Sequence, residues 1–584
     1  MKRVVAPLVR RHRDTTRTRL GDTGHAPLAA VAIARSILVL LVVSLSVLSS
    51  AIVSARQTPM VAARPAPLAS TEADAAGRIR VEALRKDVEG LTAPEMQGRG
   101  TGQPGGDRAA DYIAARYREI GLKPLGDDGS YKQAIRFTWE RLTRDSQIIV
   151  GDSRLIAGRD FAVSPPFTFE RLRATGEIVF VGYGVQSKEL RRFDLSDLDL
   201  SQKFVVLLSG QPPGVSAEAW ERATAPRVRL RNLLERGAAG IIVLGAGSER
   251  QPFSELADYY GRRRVDLASA ERPPDGLPPI ILMGETGANS LMKAAGASYR
   301  DYRAAAETGS QASAALGRTL TIDFSSERGT GIAHNCVGVL EGRDPELRGE
   351  AVALMAHYDA YGIEADGTVY PGAADNALGV AEILSVAKAL ADIPEGTKRS
   401  VVFLAFTGEE YGGLGSQYWI QHPTWPISRL VAALNFDGIG TEIYGPVRKI
   451  VGHGSEHSTL GSRLRDVAGA AGLSIAPDPM PEEESFYRSD HLFFAQNGVP
   501  ALMLQGVPEG DPSTWRSKAR KWIANDYHRP SDVVRDDWDW SGARTLASIG
   551  VILTIRLAAD SANARANWFD SSPFHPTRRS NSVP

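Results

Sequence analysis

The chain has 584 residues, of which 43% are hydrophobic, so it exceeds one ordinary domain and can build a large core. Its basic and acidic side chains number 68 each, and without a long basic stripe this balance argues against a nucleic acid as a partner. The single cysteine, Cys336, excludes an internal disulfide and any site built from several thiolates.

The N-terminal segment has a basic flank followed by an uncharged apolar run. Through Arg35 there are eight basic and two acidic residues, a net charge of +6, and Ser36–Ala55 then carries no charge. This pattern predicts a signal peptide, cleaved near Ala55, or an uncleaved membrane anchor over residues 1–55. Either interpretation places the rest of the chain outside the cytoplasm, as an exported (periplasmic or secreted) or membrane-anchored protein.

The next residues lead from a flexible region into helices. Residues 56–75 are rich in Pro and Ala, which predicts a linker. Apolar residues at helical spacing predict helices over Val81–Glu89 and Asp107–Gly121. The glycine-dense stretch between these helices, residues 97–106, lacks the Lys-Ser/Thr pair of a phosphate-binding loop, and we expect a loop near the functional site.

Three apolar runs later in the chain, Ala351–Ala356, Ser400–Phe406 and Leu430–Phe436, predict buried parallel strands. Strands of this kind alternating with helical patterns predict an α/β fold, whose ligands bind beyond the carboxyl ends of the strands. Acidic and imidazole side chains follow each run, and others stand further along the chain. These side chains are His357, Asp359, Asp375, Glu409, Glu410, Asp437 and His528.

This series of acids and imidazoles suits a pair of divalent metals that share a bridging carboxylate. Without thiolates, nitrogen and carboxylate ligands favour Zn²⁺, with Co²⁺ or Mn²⁺ as alternatives. The adjacent side chains of Glu409 and Glu410 point in different directions, so one can bind metal while the other acts as a general base. Asp359 can reach the second nitrogen of His357 and orient its ring.

Six strings resemble those of the co-catalytic di-zinc aminopeptidases, a family that includes glutamate carboxypeptidases and transferrin receptors. The resemblance covers about residues 76–560 and implies a zinc-exopeptidase-like, mostly parallel central sheet flanked by helices. The strings are AHYDAYG (356–362), PGAADNALGVA (371–381), FTGEEYGGLGSQYW (406–419), NFDGIG (435–440), FYRSDHLFFAQNGVPAL (486–502) and DYHRPSD (526–532).

The resemblance implies how the metals are held. It makes Asp375 the bridging carboxylate. It assigns His357 and Asp437 to one metal, and Glu410 and His528 to the other.

The resemblance also implies the catalytic roles. Glu409 is the implied base, which takes a proton from the bridging water and passes it to the leaving amine, and Asp359 is the implied imidazole-orienting acid. Two positions depart from the family pattern: Ala374 stands where many relatives have an acid, and Leu378 where Ser is common. Neither departure removes a ligand, although both alter the surroundings of the site.

The sequence pattern changes at about residue 165, which indicates an inserted domain. Residues 165–323 resemble a β-rich protease-associated domain, which implies a role in walling the substrate cleft, with an inert spacer as the alternative. Because the peptidase pattern resumes at residue 324, we expect a discontinuous zinc peptidase domain made of residues 76–164 and 324–563. The Ser/Pro/Asn-rich tail, residues 564–584, is predicted to be disordered.

These observations predict a di-zinc exopeptidase that hydrolyses N-terminal bonds of peptide or protein substrates, with membrane contact only through an uncleaved N-terminus. Tyr487 and Arg488 are candidates for binding substrate. The alternatives are a carboxypeptidase, a glutaminyl cyclase or an inactive receptor. A carboxypeptidase needs arginines to clamp the terminal carboxylate, and Arg488 is the only one beside a motif. A receptor would lack ligands, yet all are present.

Overall fold

A computed structural model describes most of the chain beyond its N-terminus. The predicted signal peptide or anchor (1–55) and the first part of the predicted linker lie outside the described residues. The described ranges are 66–195, 198–248, 251–270, 276–309, 313–438, 443–508, 510–559 and 565–577.

The described residues form a mixed α/β structure. The strands of three or more residues are β1 (Lys132–Leu142), β2 (Gln147–Val150), β3 (Ser153–Ile156), β4 (Ala162–Ser164), β5 (Arg171–Phe180), β6 (Phe204–Leu208), β7 (Gly240–Leu244), β8 (Arg264–Leu267), β9 (Ile280–Met283), β10 (Ala314–Leu340), β11 (Ala351–His357), β12 (Ser400–Phe406), β13 (Leu430–Phe436), β14 (Val447–His453) and β15 (Ala501–Pro508).

The α-helices lie before, between and after these strands. They are α1 (Ser70–Ala76), α2 (Val81–Leu91), α3 (Pro104–Ile120), α4 (Ala217–Thr224), α5 (Pro226–Glu235), α6 (Phe253–Gly261), α7 (Glu285–Ala294), α8 (Tyr299–Thr308), α9 (Leu378–Ala391), α10 (Leu414–Gln421), α11 (Leu460–Ala470), α12 (His491–Gln496), α13 (Pro512–Asn525) and α14 (Ser541–Ala558).

The central sheet has the order β14-β15-β13-β11-β12-β10-β1-β8. Its middle strands β15, β13, β11 and β12 are parallel, and antiparallel strands flank them on both sides. The prediction of an α/β fold with a parallel central sheet is confirmed. The three strands predicted from apolar runs are β11, β12 and β13, so the side chains that follow them meet at one edge.

Both faces of the middle strands are covered, which explains their uninterrupted apolar sequences. In β11, Val352 and Leu354 belong to the cluster that contains α9 and α14. Ala353 and Met355 instead pack in the cluster that contains Trp419 of α10 and Phe494 of α12. Among the described residues, α14 has the length and apolarity of a membrane span, but 67% of that window is buried within the protein, so it is a core helix.

A second sheet adjoins the first through the long strand β10. The C-terminal half of β10 pairs with β1 and β12, whereas its N-terminal half pairs with β2 and β5. Strands β5, β6, β7 and β9 run parallel and enclose a separate apolar cluster around Phe180, Phe204 and Ile242. The second sheet also takes in β2, β3 and β4, which the predicted boundary at residue 165 had placed in the peptidase domain.

The C-terminal tail differs from its prediction over residues 565–577. Instead of being disordered, this stretch packs on the apolar cluster beside the central sheet, where Trp568 and Phe574 are buried. The Trp568 indole donates a hydrogen bond to Gly498 O at 3.1 Å, and the Phe574 ring lies 5.5 Å from that of Phe486. The overall composition of the tail predicted disorder, but its few aromatic side chains supply enough apolar area for docking.

The N-terminal part of the peptidase region is helical as predicted, with one correction. Helix α3 begins at Pro104, a favourable first helical residue, and ends at Gly121, whose φ is 92°. Helix α1, however, covers Ser70–Ala76 and so occupies the end of the predicted linker. Its Glu72 pairs with Arg556 of α14 at 2.8 Å, which fixes the helix to the core.

Candidate metal centre

The structure brings the five predicted metal ligands together at the carboxyl edge of the central sheet. His357 is the last residue of β11, Glu410 follows β12 and Asp437 follows β13. Asp375 lies in the turn that precedes α9, and His528 lies in the loop after α13. Chain segments that are far apart in sequence therefore converge on one site.

Asp375 lies between the two imidazoles. Its Oδ1 is 3.2 Å from Nε2 of His357, and its Oδ2 is 3.2 Å from Nε2 of His528. His357 Nε2 is also 3.3 Å from Asp437 Oδ1. His528 Nε2 is 3.1 Å from Glu410 Oε2. The result is two groups of three ligand atoms, each within 4.8 Å, that share one carboxylate.

Several carboxylates are buried close together in the site, and their combined negative charge favours the binding of cations. Although burial lowers the pKa of His528, the carboxylates of Glu410 and Asp375 raise it to about 9. Burial raises the pKa of Glu410, and it raises that of Glu409 well above the usual range. Divalent cations would offset this charge, and the imidazole and carboxylate donors fit zinc-type metals.

The structure distinguishes the two adjacent glutamates. Glu410 faces His528, whereas Glu409 Oε2 lies 3.8 Å from Nε2 of His357, on the other side of the shared carboxylate. The left-handed Gly408, with φ 74°, begins the tight turn that separates their directions. Glu409 is thus beside the ligand atoms while Glu410 is among them, as the resemblance implies.

Asp359 is fully buried behind the site and makes three contacts. Its carboxylate lies 3.6 Å from Nδ1 of His357. The backbone carbonyl oxygen of Asp359 is closer to the same nitrogen, at 3.2 Å. The same carboxylate accepts hydrogen bonds from Thr101 Oγ1 and from the backbone N–H of Glu409, both at 3.1 Å. The Asp359 carboxylate therefore holds the turn that carries Glu409, and the hydrogen bond from residue 359 to the imidazole is made by its backbone carbonyl.

Arg99 is a supporting residue that sequence reasoning missed. Its guanidinium is fully buried and donates hydrogen bonds to the carbonyls of Tyr358 at 2.6 Å and Gly372 at 2.6 Å. It also donates to the carbonyls of Leu91 and Pro371. These bonds join the end of β11 to the loop that leads into Asp375. The glycine-dense stretch that contains Arg99 was the available signal, because glycines permit such close approach.

We expect Arg99→Met to lower the free energy of unfolding of the peptidase region by about 3 kcal/mol or more, since several buried carbonyls lose their donor. Urea unfolding followed by tryptophan fluorescence measures this loss. The matched control is Arg108→Met. The guanidinium of Arg108 donates a partly buried hydrogen bond to the Gln97 side chain in the same turn, and we expect its loss to cost less than about 1 kcal/mol. Equal losses in the two variants would contradict this role of Arg99.

Asp532 is a second residue that was missed. Its carboxylate accepts hydrogen bonds from the backbone N–H groups of Ala374 at 2.9 Å and Asp375 at 3.0 Å. Burial raises the pKa of Asp532 to about 7. The bond to residue 374 uses the backbone alone, which explains how an alanine is accommodated at this position. Asn376 completes the turn by donating to Phe436 O at 2.9 Å.

The candidate substrate residues lie outside the group of ligand atoms. Tyr487 is 48% exposed, and its ring packs edge to face against Phe486. Arg488 lies 3.3 Å from the hydroxyl of Tyr527, whose ring stacks on His528 at 3.6 Å, and 3.3 Å from a carboxylate oxygen of Glu483. Arg488 is therefore on the rim of the site, whereas Tyr487 contacts Phe486 and none of the candidate ligands.

A small open cleft of about 180 Å³ leads to the Glu410 and His528 side of the site. Its wall includes two ligand carboxylates and two tyrosine rings, so it presents both acidic and apolar surface. The lining residues are Ala360, Tyr361, Tyr370, Gly372, Asp375, Glu410, His528, Arg529 and Asp532.

Comparison with known proteins identifies the relationship. The sequence profile of peptidase family M28 matches residues 335–551, which contain the two groups of ligand atoms. Residues 335–551 are therefore similar to peptidase family M28. The resemblance to zinc aminopeptidases is thereby confirmed, and the M28 region spans β11 to β15 and all five candidate ligands.

The curated relatives of the M28 region are aminopeptidases. The probable leucine aminopeptidase 2 of Aspergillus oryzae is 31% identical over 228 residues, covering 36% of this chain and 42% of that protein. Aminopeptidase YwaD of Bacillus subtilis is 27% identical over 192 residues, covering 32% of this chain and 36% of that protein. The matched region thus spans less than half of the length of these relatives.

Solved structures extend the likeness in fold beyond the M28 region. An aminopeptidase from Aneurinibacillus sp. strain AM-1 aligns with a TM-score of 0.55 at 17% identity, over 84% of this chain and 97% of that chain. The zinc aminopeptidase BSAP from Bacillus subtilis aligns with a TM-score of 0.50 at 16% identity, over 83% and 97%. At these identities the alignments show a shared fold.

Proposed function

We propose that this protein is a di-zinc aminopeptidase that removes N-terminal residues from peptides or proteins. The observation that carries the proposal is the position of Asp375, whose two oxygens each lie 3.2 Å from a different imidazole. A carboxylate shared in this way can hold two metals as close together as they lie in two-metal hydrolases, about 3.5–4 Å. The M28 relationship and the aminopeptidase names of the curated relatives support the same reaction.

Each side chain has a role in this proposal. His357, Asp437 and Asp375 would hold one zinc, and Asp375, Glu410 and His528 the other. Bound zinc supplies a Lewis acid that polarises the scissile carbonyl and lowers the pKa of water. Co²⁺ or Mn²⁺ could occupy the same oxygen and nitrogen ligands.

Glu409 is the proposed general base. Its carboxylate lies beside the ligand atoms without belonging to either group of three. From that position it would accept a proton from the attacking water and return it to the leaving amine. The backbone of Glu409 is held by Asp359, so the carboxylate is positioned before substrate arrives.

The observed contacts favour an aminopeptidase over a carboxypeptidase. Two arginines beside the site could bind a terminal carboxylate, and both already have acidic or polar partners. Arg488 contacts the Tyr527 hydroxyl and the Glu483 carboxylate, and Arg529 in the cleft wall pairs with Glu255 at 2.6 Å.

A panel of reporter substrates tests the proposal. We expect purified protein to release reporters from free N-terminal aminoacyl conjugates, to lose this activity with a chelator, and to regain it with Zn²⁺. N-acetylated versions of the same conjugates are the matched control and should not be hydrolysed. Release of C-terminal residues from N-blocked peptides would instead support a carboxypeptidase. Chelator-resistant activity, or no hydrolysis in the zinc-loaded protein, would contradict the proposed reaction.

A further inference from the structure

Two arginines of the inserted segment (residues 165–323), Arg262 and Arg264, are buried against tyrosine rings beside the metal centre. Arg262 directly follows α6, and Arg264 begins β8, which pairs with β1 of the central sheet. Arg262 and Arg264 are each only 9% exposed. The burial of two guanidinium groups requires an explanation, because burying a cation costs free energy that simple packing does not return.

Arg262 makes a defined set of contacts with the metal site. Its guanidinium carbon lies 4.2 Å from the ring centre of Tyr361 and 4.4 Å from that of Tyr370. One of its nitrogens donates a hydrogen bond to the backbone carbonyl of His528 at 2.9 Å. The aromatic faces stabilise the buried cation. The donor reaches a residue whose imidazole is among the candidate ligands.

The same contacts fix the backbone conformation of His528 and the orientation of its imidazole ring. The backbone of His528 has φ 58°, a conformation that side chains other than glycine rarely adopt unless the surroundings impose it. The Tyr361 hydroxyl lies 3.3 Å from Nδ1 of His528, which leaves Nε2 facing Asp375 and Glu410. Arg262 therefore holds both the carbonyl of His528 and the tyrosine that orients its ring.

Neighbouring contacts strengthen the connection between the inserted segment and the site. Arg263 donates to Thr101 O at 2.9 Å, and the hydroxyl of Thr101 bonds the Asp359 carboxylate. Glu255 of α6 pairs with Arg529, the residue after His528, at 2.6 Å. Residues 253–264 thus contact the loops behind both groups of ligand atoms.

We propose that Arg262 is a positioning residue for His528, so that the inserted segment completes one of the two metal sites. This inference rests on the proposed function, because it assigns Arg262 to the metal site of that enzyme. By linkage, zinc binding at Glu410 and His528 stabilises the docking of residues 253–267, and their docking strengthens zinc binding. The inserted segment is then a structural part of the catalytic site, whatever else it does in the cleft.

Zinc titration of metal-free protein tests the positioning role. We expect two equivalents to bind the wild type, and Arg262→Ala to weaken one of them by about 10–100-fold while the other stays unchanged, the usual effect of losing a group that orients a ligand. Arg262→Lys keeps a cation over the rings and one donor, so we expect partial rescue. Both variants are titrated calorimetrically, and their zinc content is measured after dialysis.

Arg192→Ala is the matched control. Arg192 also lies in the inserted segment, over the rings of Tyr183 and Trp220 at 5.3 and 5.9 Å, and donates to Ala306 O at 2.8 Å. It therefore has the same kinds of contact as Arg262 but none with the candidate ligands. We expect it to bind two equivalents of zinc with wild-type affinity.

Hydrogen exchange provides a second measurement that does not depend on a stable Arg262→Ala variant. Zn²⁺ is expected to slow exchange over residues 253–267 in the wild type, and to do so less in Arg262→Lys. Wild-type zinc affinities in Arg262→Ala, or no zinc effect on exchange over these residues in the wild type, would overturn the inference and leave the proposed function intact. A wild-type protein that binds no zinc would overturn both.

Discussion

Replacing Glu409 with glutamine is expected to lower kcat by about 10²–10⁴-fold or more, because the general base is removed. Both zinc ions should remain bound, since Glu409 lies outside the two groups of ligand atoms. Glutamine has nearly the shape of glutamate, and the backbone bond from residue 409 to Asp359 is unaffected. The measurements are kcat with an aminoacyl reporter and zinc content by elemental analysis.

The matched control for this variant is Glu364→Gln. Glu364 is a partly buried carboxylate in the hairpin after β11, and burial raises its pKa as it does that of Glu409. It has no contact with the candidate ligands, so kcat should stay close to that of the wild type. Near-normal turnover by Glu409→Gln would show that another group is the base. Loss of one zinc would instead make Glu409 a ligand.

The sequence predicts the central strands, and the ligands that directly follow them, because both depend on local pattern. Buried parallel strands are continuous apolar runs, and parallel topology then brings the residues that follow them to one edge. His357 and Asp437 could be placed near each other for this reason, without knowledge of any long-range contact. His528 does not follow a strand, so its place depended on the family resemblance.

The supporting residues could not be predicted, because their roles exist only in the folded chain. Arg99 bonds the carbonyl of Tyr358, which is 259 residues away, and Arg262 bonds that of His528, which is 266 residues away. An arginine that binds a backbone carbonyl leaves no motif at the other end of the bond. The docked stretch at residues 565–577 was missed for a related reason: composition averages over a segment, whereas docking depends on a few aromatic side chains.

Asp375→Ala is expected to reduce zinc binding at both sites, whereas Asp437→Ala should affect only one. Asp375 is the side chain common to the two groups of ligand atoms, and Asp437 belongs to the group of His357 alone. We therefore expect Asp375→Ala to retain little zinc after dialysis and Asp437→Ala to retain about one equivalent. Elemental analysis of both variants beside the wild type gives these contents.

Thermal stability should follow the same order, because an ion that binds only the folded state stabilises it by mass action. At a free zinc concentration 100 times Kd, one site contributes about 2.7 kcal/mol. Adding Zn²⁺ to metal-free protein should raise Tm most in the wild type, less in Asp437→Ala and least in Asp375→Ala. If Asp375→Ala kept two zinc ions and the full wild-type increase in Tm, Asp375 could not be the bridge, and the two groups would have to bind metal independently.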